Sequence, residues 1–224
     1  MKIYTYTITV ILIIIFFVLF SHFTSYSRVN EDFNIQQTEH PMPEVIDLML
    51  AKKQPTIFMY DIETWDGFDL LIGQKYEDIQ EVLTDNKKLM SMLKNMYLKP
   101  FALPLTKNWT VNLIQQSQTW DNIPQQPQTI TSYHHFFGNL SGLMMLCIIS
   151  PKHTQLIEKC KKNNIDFKNY LTENGENEKL EYITIPIRLG YLVYIPFGWH
   201  YFLYCGQENS YCCYLDLKNI TWFG

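Results

Sequence analysis

Several things are scarce in this 224-residue chain. Basic charge is one: 18 Lys and Arg stand against 22 Asp and Glu, a net charge of -4. A nucleic-acid binder would normally carry a basic face or stripe, so that class is disfavoured. Charged residues of both signs reach only 18%. Alanine occurs twice, at Ala51 and Ala102, while Ile and Asn are plentiful. That bias marks an AT-rich coding sequence and speaks to origin rather than function. The five cysteines, Cys147, Cys160, Cys205, Cys212 and Cys213, show no C-x-x-C metal spacing. Their odd number leaves at least one unpaired, and most read as small buried hydrophobes. No nucleophile elbow, P-loop, H-E-x-x-H or dinucleotide fingerprint occurs. What is abundant is apolar and aromatic: 47% hydrophobic and 15% aromatic, with 15 Tyr and 14 Phe. That content excludes disorder for most of the chain and suits a β-rich fold.

Charge is also missing from Ile3 to Ser21, and Ile8 to Phe20 is almost solid hydrocarbon. Such a run approaches the ~30 Å of a bilayer core at a rise of ~1.5 Å per residue. Phe20-Ser21-His22-Phe23 makes a poor signal-peptidase site, so an uncleaved anchor over residues 1–21 is expected. Lys2 precedes the run, and Arg28 follows it with Glu31 and Asp32 close behind. The positive-inside rule then puts the N-terminus in the cytosol. The remainder would be luminal, extracellular or envelope-associated. Three sequons, at Asn108, Asn139 and Asn219, are candidates for glycosylation there.

Residues 22–42 are polar and without apolar period, which reads as a stalk, with the domain proper at 43–224. Val45–Leu50 predicts one or two helical turns and Thr56–Tyr60 a strand. An acidic loop follows at 61–69, and 76–98 has helical spacing. Residues 101–129 predict loops with short strands. A strand at 143–149 and a helix at 153–170 come next. Strands at 180–187, 191–195, 201–205 and 211–217 close the chain. Helices followed by antiparallel strands indicate an α+β, mainly β fold.

Two segments carry a family resemblance. The first runs Tyr133-His134-His135-Phe136-Phe137-Gly138-Asn139-Leu140-Ser141-Gly142 into a strand ending at Pro151. The second runs Gly190-Tyr191-Leu192-Val193-Tyr194-Ile195-Pro196-Phe197-Gly198-Trp199-His200-Tyr201. Together they resemble the two metal-site segments of the cupin-like JmjC oxygenases, over about residues 100–220. The resemblance implies a double-stranded β-helix, or jelly roll, with flanking helices. In that family Fe(II) is held by two His and one carboxylate, with 2-oxoglutarate as cosubstrate. Carried over by position, the first His falls on Tyr133, the carboxylate on His135 and the distal His on Tyr201. The cosubstrate's basic residue falls on Met144, and an acidic residue of the second segment on Tyr191.

The scaffold residues therefore match while the functional ones are replaced. No Asp or Glu lies between Asn122 and Lys152, so the first segment has no carboxylate ligand. Met144 cannot pair with a carboxylate. One reading follows: a membrane-anchored domain without the iron site, acting in binding or scaffolding through a protein or small-ligand partner, with no cofactor. Trp199 would plug the barrel or line its pocket. The alternative is an active hydroxylase using Fe(II) and 2-oxoglutarate, its metal held by His134, His135 and His200. Strand alternation sends His134 and His135 to opposite faces, so at most one should point inward. A third reading is an envelope or surface jelly roll with no enzyme ancestry, separable by its strand order.

Overall fold

A computed structural model describes residues 2–39, 42–59, 106–116, 126–132, 134–174, 179–205 and 210–219. Tyr133, the acidic loop at 61–69 and the helical pattern at 76–98 lie outside these residues.

The chain opens with helix α1 (Lys2–Ser27), then strand β1 (Gln36–Glu39), α2 (Pro43–Lys52) and β2 (Thr56–Met59). Eight strands follow: β3 (Thr106–Gln116), β4 (Gln128–Thr129), β5 (His134–Ser141), β6 (Met144–Ile149), β7 (Tyr182–Ile187), β8 (Tyr191–Pro196), β9 (His200–Cys205) and β10 (Ser210–Asn219). Helices α3 (Thr154–Lys162) and α4 (Phe167–Asn174) lie between β6 and β7. Pro43 sits in the first turn of α2, where its fixed φ is pre-organised and no N–H is missed. A left-handed Lys53 ends that helix. The single helix expected over 153–170 is two, because Asn164 adopts φ 51° between them.

One sheet has the order β1-β2-β8-β5-β10-β3 and the other β4-β9-β6-β7. Within the eight strands β3–β10, the first sheet takes the first, eighth, third and sixth. The second sheet takes the second, seventh, fourth and fifth. This is the strand order of a jelly roll, the architecture that cupins share. Capsid and lectin jelly rolls belong to the same architecture. Strand order therefore does not separate a cupin from an envelope jelly roll, contrary to the expectation above. β3 was not legible as one strand. It runs for 11 residues through a segment expected to hold loops with short strands, and its register with β10, from Gln116↔Ser210 to Thr106↔Asn219, orders it.

Alternation along the strands sorts side chains into layers. Phe137, Leu146, Ile148, Val193, Ile195, Trp199, Tyr201 and Cys212 share the core between the sheets. On the outer face of the smaller sheet, Cys147, Ile149 and Phe202 pack with Ile157 and Cys160 of α3 and Phe167 and Leu171 of α4.

Residues 28–39 are not a free stalk. β1 pairs in parallel with β2, from Gln36↔Thr56 to Glu39↔Met59. The Trp199 indole N–H donates to the Asn30 carbonyl at 3.0 Å, and Phe33 stacks on the Trp199 ring at 5.9 Å. The Asn30 amide donates to the Lys52 carbonyl at 2.8 Å. Gly198 has φ +83°, and a Cβ there would stand 2.8 Å from a Val29 methyl. This segment is a strap closed over one end of the barrel. Its polar composition concealed that, because its partners are a turn and a strand far away in sequence.

α1 is apolar on every side and its residues from Ile8 to Phe20 are exposed. At a rise of 1.5 Å its 26 residues extend about 39 Å. Among the described residues no helix is long and apolar enough to cross a membrane. The expected anchor is therefore not part of what the fold establishes.

Candidate functional site

Two pairs of adjacent residues decide the site: His134 with His135, and His200 with Tyr201. Each pair lies on a strand, so its members face opposite ways.

His134 faces outward from the larger sheet. It is buried beside Phe136 and Tyr194, with Nδ1 3.3 Å from the Tyr194 hydroxyl. Burial, reinforced by the charge of Lys53, holds its pKa down at about 3, so its imidazole is neutral. His200 faces outward from the smaller sheet, against the start of α3. Its Nε2 lies 2.8 Å from the Thr154 hydroxyl and its Nδ1 2.9 Å from the Thr129 hydroxyl. Thr154 donates its own proton to the Pro151 carbonyl, so it accepts from Nε2–H, and Nδ1 accepts from Thr129. Both nitrogens of His200 are thus committed. Burial, with the charges of Lys161 and His153, lowers its pKa to about 4.

His135 faces inward. Its ring lies against Phe137, Tyr201 and Tyr214, with centroids 4.6, 5.4 and 5.3 Å away. Its Nδ1 is 2.5 Å from Oδ1 of Asp216. An ionised carboxylate only accepts, so Nδ1 carries the proton. The Ser132 hydroxyl donates to the same oxygen at 2.6 Å. The Nε2 of His135 is buried without a hydrogen-bond partner. Tyr201, at the distal-His position, also points inward and donates from its hydroxyl to Gln128 Oε1 at 2.8 Å. Burial first, then the nearby Tyr214 and Asp216, raises its pKa well above the usual phenol range. Tyr214 is shifted the same way, by burial and by Asp216.

These groups line a cavity of about 200 Å³ at the barrel mouth, between the 128–132 segment and the ends of β5, β9 and β10. Thr129 to Ser132, Gln128 and the rings above form its walls. Trp199 does not line it. That ring is fully buried beneath the strap and acts as the plug. Met144, at the cosubstrate position, is wholly buried in the core. Tyr191 is half-buried at the start of β8.

The residues present do not fit a 2-His-1-carboxylate iron site. The three candidate imidazoles, His134, His135 and His200, occupy three separate environments and cannot converge on one ion. Among the described residues no group of three or more His, Cys, Asp or Glu could hold a metal. The position of the distal His holds a phenol kept protonated. The orphaned Nε2 of His135, with Asp216 behind it, resembles a carboxylate-oriented ligand, but one such imidazole is not a triad. The cavity is also of the wrong sign for 2-oxoglutarate. Asp216 is its carboxylate, and no Lys or Arg is among the described residues lining it.

Asp216 and Ser132 were missed from sequence. The available signal was alternation. Cys212, Tyr214 and Asp216 occupy one face of β10, and Cys212 lies in the inner core. A carboxylate continuing an inward-facing row is unusual enough to mark. Asn139, expected as a glycosylation candidate, is buried. Its amide donates to the Gly142 and Ile187 carbonyls, each at 2.8 Å. Both N–H groups hold the turn, so this sequon is closed in the folded state. Asn108 and Asn219 lie on the paired strands β3 and β10.

No protein-family model matches the chain, and no curated protein matches it in sequence. Among solved structures, it is similar to one described as acireductone dioxygenase from Bacillus anthracis with cadmium ion in active center. The TM-score is 0.39 at 11% identity, covering 79% of this chain and 84% of that one. The jelly-roll fold rests on the strand order.

Proposed function

We propose that the chain is a membrane-anchored jelly-roll protein whose barrel mouth binds a small polar ligand, without Fe(II)/2-oxoglutarate chemistry. The observation that carries this reading is the divergence of the imidazoles. His135 alone of the three faces the cavity, and its Nδ1 is committed to Asp216. A domain that kept the barrel while replacing each ligand position by a group of different chemistry retains a pocket and loses a metal site. The cavity, of about 200 Å³, has room for one small polar group. Anchoring is supported by the uncharged Ile3–Ser21 run and by its helical conformation within α1. The strap bears on the same picture. Only Arg28 separates the end of α1 from Val29, which packs against Gly198, so the barrel would be held close to its membrane.

Two assays test the reading. Membranes bearing the full chain should retain it through alkaline carbonate extraction. The detergent-purified chain, given Fe(II), ascorbate, oxygen and 2-oxoglutarate, should release no succinate above a heat-denatured control. Succinate release abolished by His135→Ala would overturn the binding role and favour a hydroxylase.

A further inference from the structure

We infer that the mouth cavity is a site for an alkylammonium group, recognised by two tyrosine rings, one carboxylate and one imidazole. The inference rests on the reading of this cavity as a ligand pocket and gives that ligand a chemical class. Three features on the wall agree. The first is charge. Asp216 lines the cavity, and neither Lys nor Arg is among the described residues lining it. A cation is attracted there, and a carboxylate or phosphate is repelled. The second is the aromatic surround. Tyr201 and Tyr214 both line the cavity, packed against the His135 ring, and tyrosine rings favour a cation. The third is the orphaned nitrogen. The carboxylate of Asp216 accepts from Nδ1–H, which leaves Nε2 as the ring's remaining hydrogen-bonding position. His135 is only 3% exposed, and that nitrogen has no partner. As an acceptor, that position is satisfied by an N–H donor. A primary ammonium supplies both the charge and the donor. A quaternary ammonium supplies charge alone.

The size agrees as well. About 200 Å³ accommodates a headgroup with a few carbons and is below the 300–1,000 Å³ typical of drug-sized ligands. The source is either a free small amine or the side chain of a lysine in a polypeptide.

The test is isothermal titration calorimetry on the full detergent-solubilised chain, with n-butylammonium, tetramethylammonium and butyrate as probes. Butylammonium should bind, tetramethylammonium should bind about tenfold more weakly, and butyrate should give no heat of binding. Asp216→Asn should weaken butylammonium by about tenfold or more, and Tyr214→Ala should weaken it while Tyr214→Phe preserves it. The comparison among probes uses the unaltered chain, so a variant that fails to fold does not blunt the test. Nα-acetyl-lysine methylamide binding more tightly than butylammonium would assign the ammonium to a polypeptide, and equal binding would assign it to a free amine. Butyrate binding as well as butylammonium would overturn the inference, as would an Asp216→Asn chain that folds and binds unchanged. Absence of butylammonium binding together with absence of succinate release removes this inference alone. Succinate release removes the reading beneath it.

Discussion

His135 and His200 are both buried imidazoles, one on each of the two sheets of one barrel, yet they are built for different ends. His200, under α3, has both nitrogens tied to threonine hydroxyls and no charged group hydrogen-bonded to it. His135, inside the mouth, has a carboxylate on one nitrogen and nothing on the other. The first arrangement is saturated and serves packing. The second leaves a directed nitrogen in an aromatic surround. The difference arises from which side of a strand the residue occupies, a matter of one position in sequence.

The comparison can be broken at several points. The largest effect should come from the apolar plug that closes the mouth end. Trp199→Ala removes a fully buried ring stacked on Phe33 and leaves the Asn30 carbonyl unpaired. A loss of about 3–5 kcal/mol is expected in urea unfolding. A loss below about 1 kcal/mol would mean that the strap does not close over this ring.

The next effect separates the saturated histidines by pH. His134 and His200 are held near about 3 and about 4 in the folded chain, against an ordinary value of 6.5. Between those limits the unfolded chain binds more protons than the folded one, so stability rises with pH there. Their contribution is fully present above about pH 6.5 and is lost on acidification, by up to about 1.4 kcal/mol per pH unit for each titrating imidazole. Urea midpoints at several pH values between about 7 and 4 should fall accordingly. His200→Gln should flatten the slope, and an unchanged slope would remove His200 from the set.

A smaller effect sharpens the other side of the comparison. His135→Phe keeps a ring in the mouth but leaves Asp216 without its imidazole donor. A cost of about 1–3 kcal/mol is expected at pH 7, from a carboxylate stripped of one hydrogen bond in a partly closed site. The smallest effect is chemical. Cys147, Cys160 and Cys212 are buried, and burial pushes the Cys147 thiol up to about 12. Native protein should leave Cys147 unmodified by iodoacetamide at neutral pH, while denatured protein should react. Modification of Cys147 in the folded chain would contradict the layer assigned to α3.

Much of the barrel was legible because strand period and turn residues are local. β6, β8, β9 and β10 follow from apolar runs bounded by Gly, Pro and polar turns, within one or two residues. The opposed directions of His134 and His135 follow from alternation alone. What was hidden depends on contacts across the fold. β3 is ordered by β10, and the strap is ordered by Trp199, at 169 residues' separation from Asn30. Asp216 reached the site from the last strand, far from the two segments that carry the family resemblance. A motif that lists ligands by local spacing has no place for a group supplied by register.

Bound iron is the measurement closest to the central claim. The full chain, purified without oxygen in the presence of Fe(II), would be desalted and its metal content determined by elemental mass spectrometry. The account predicts iron far below one atom per chain, unchanged by His135→Ala or His200→Ala. Iron near one per chain, lost with either substitution, would contradict it.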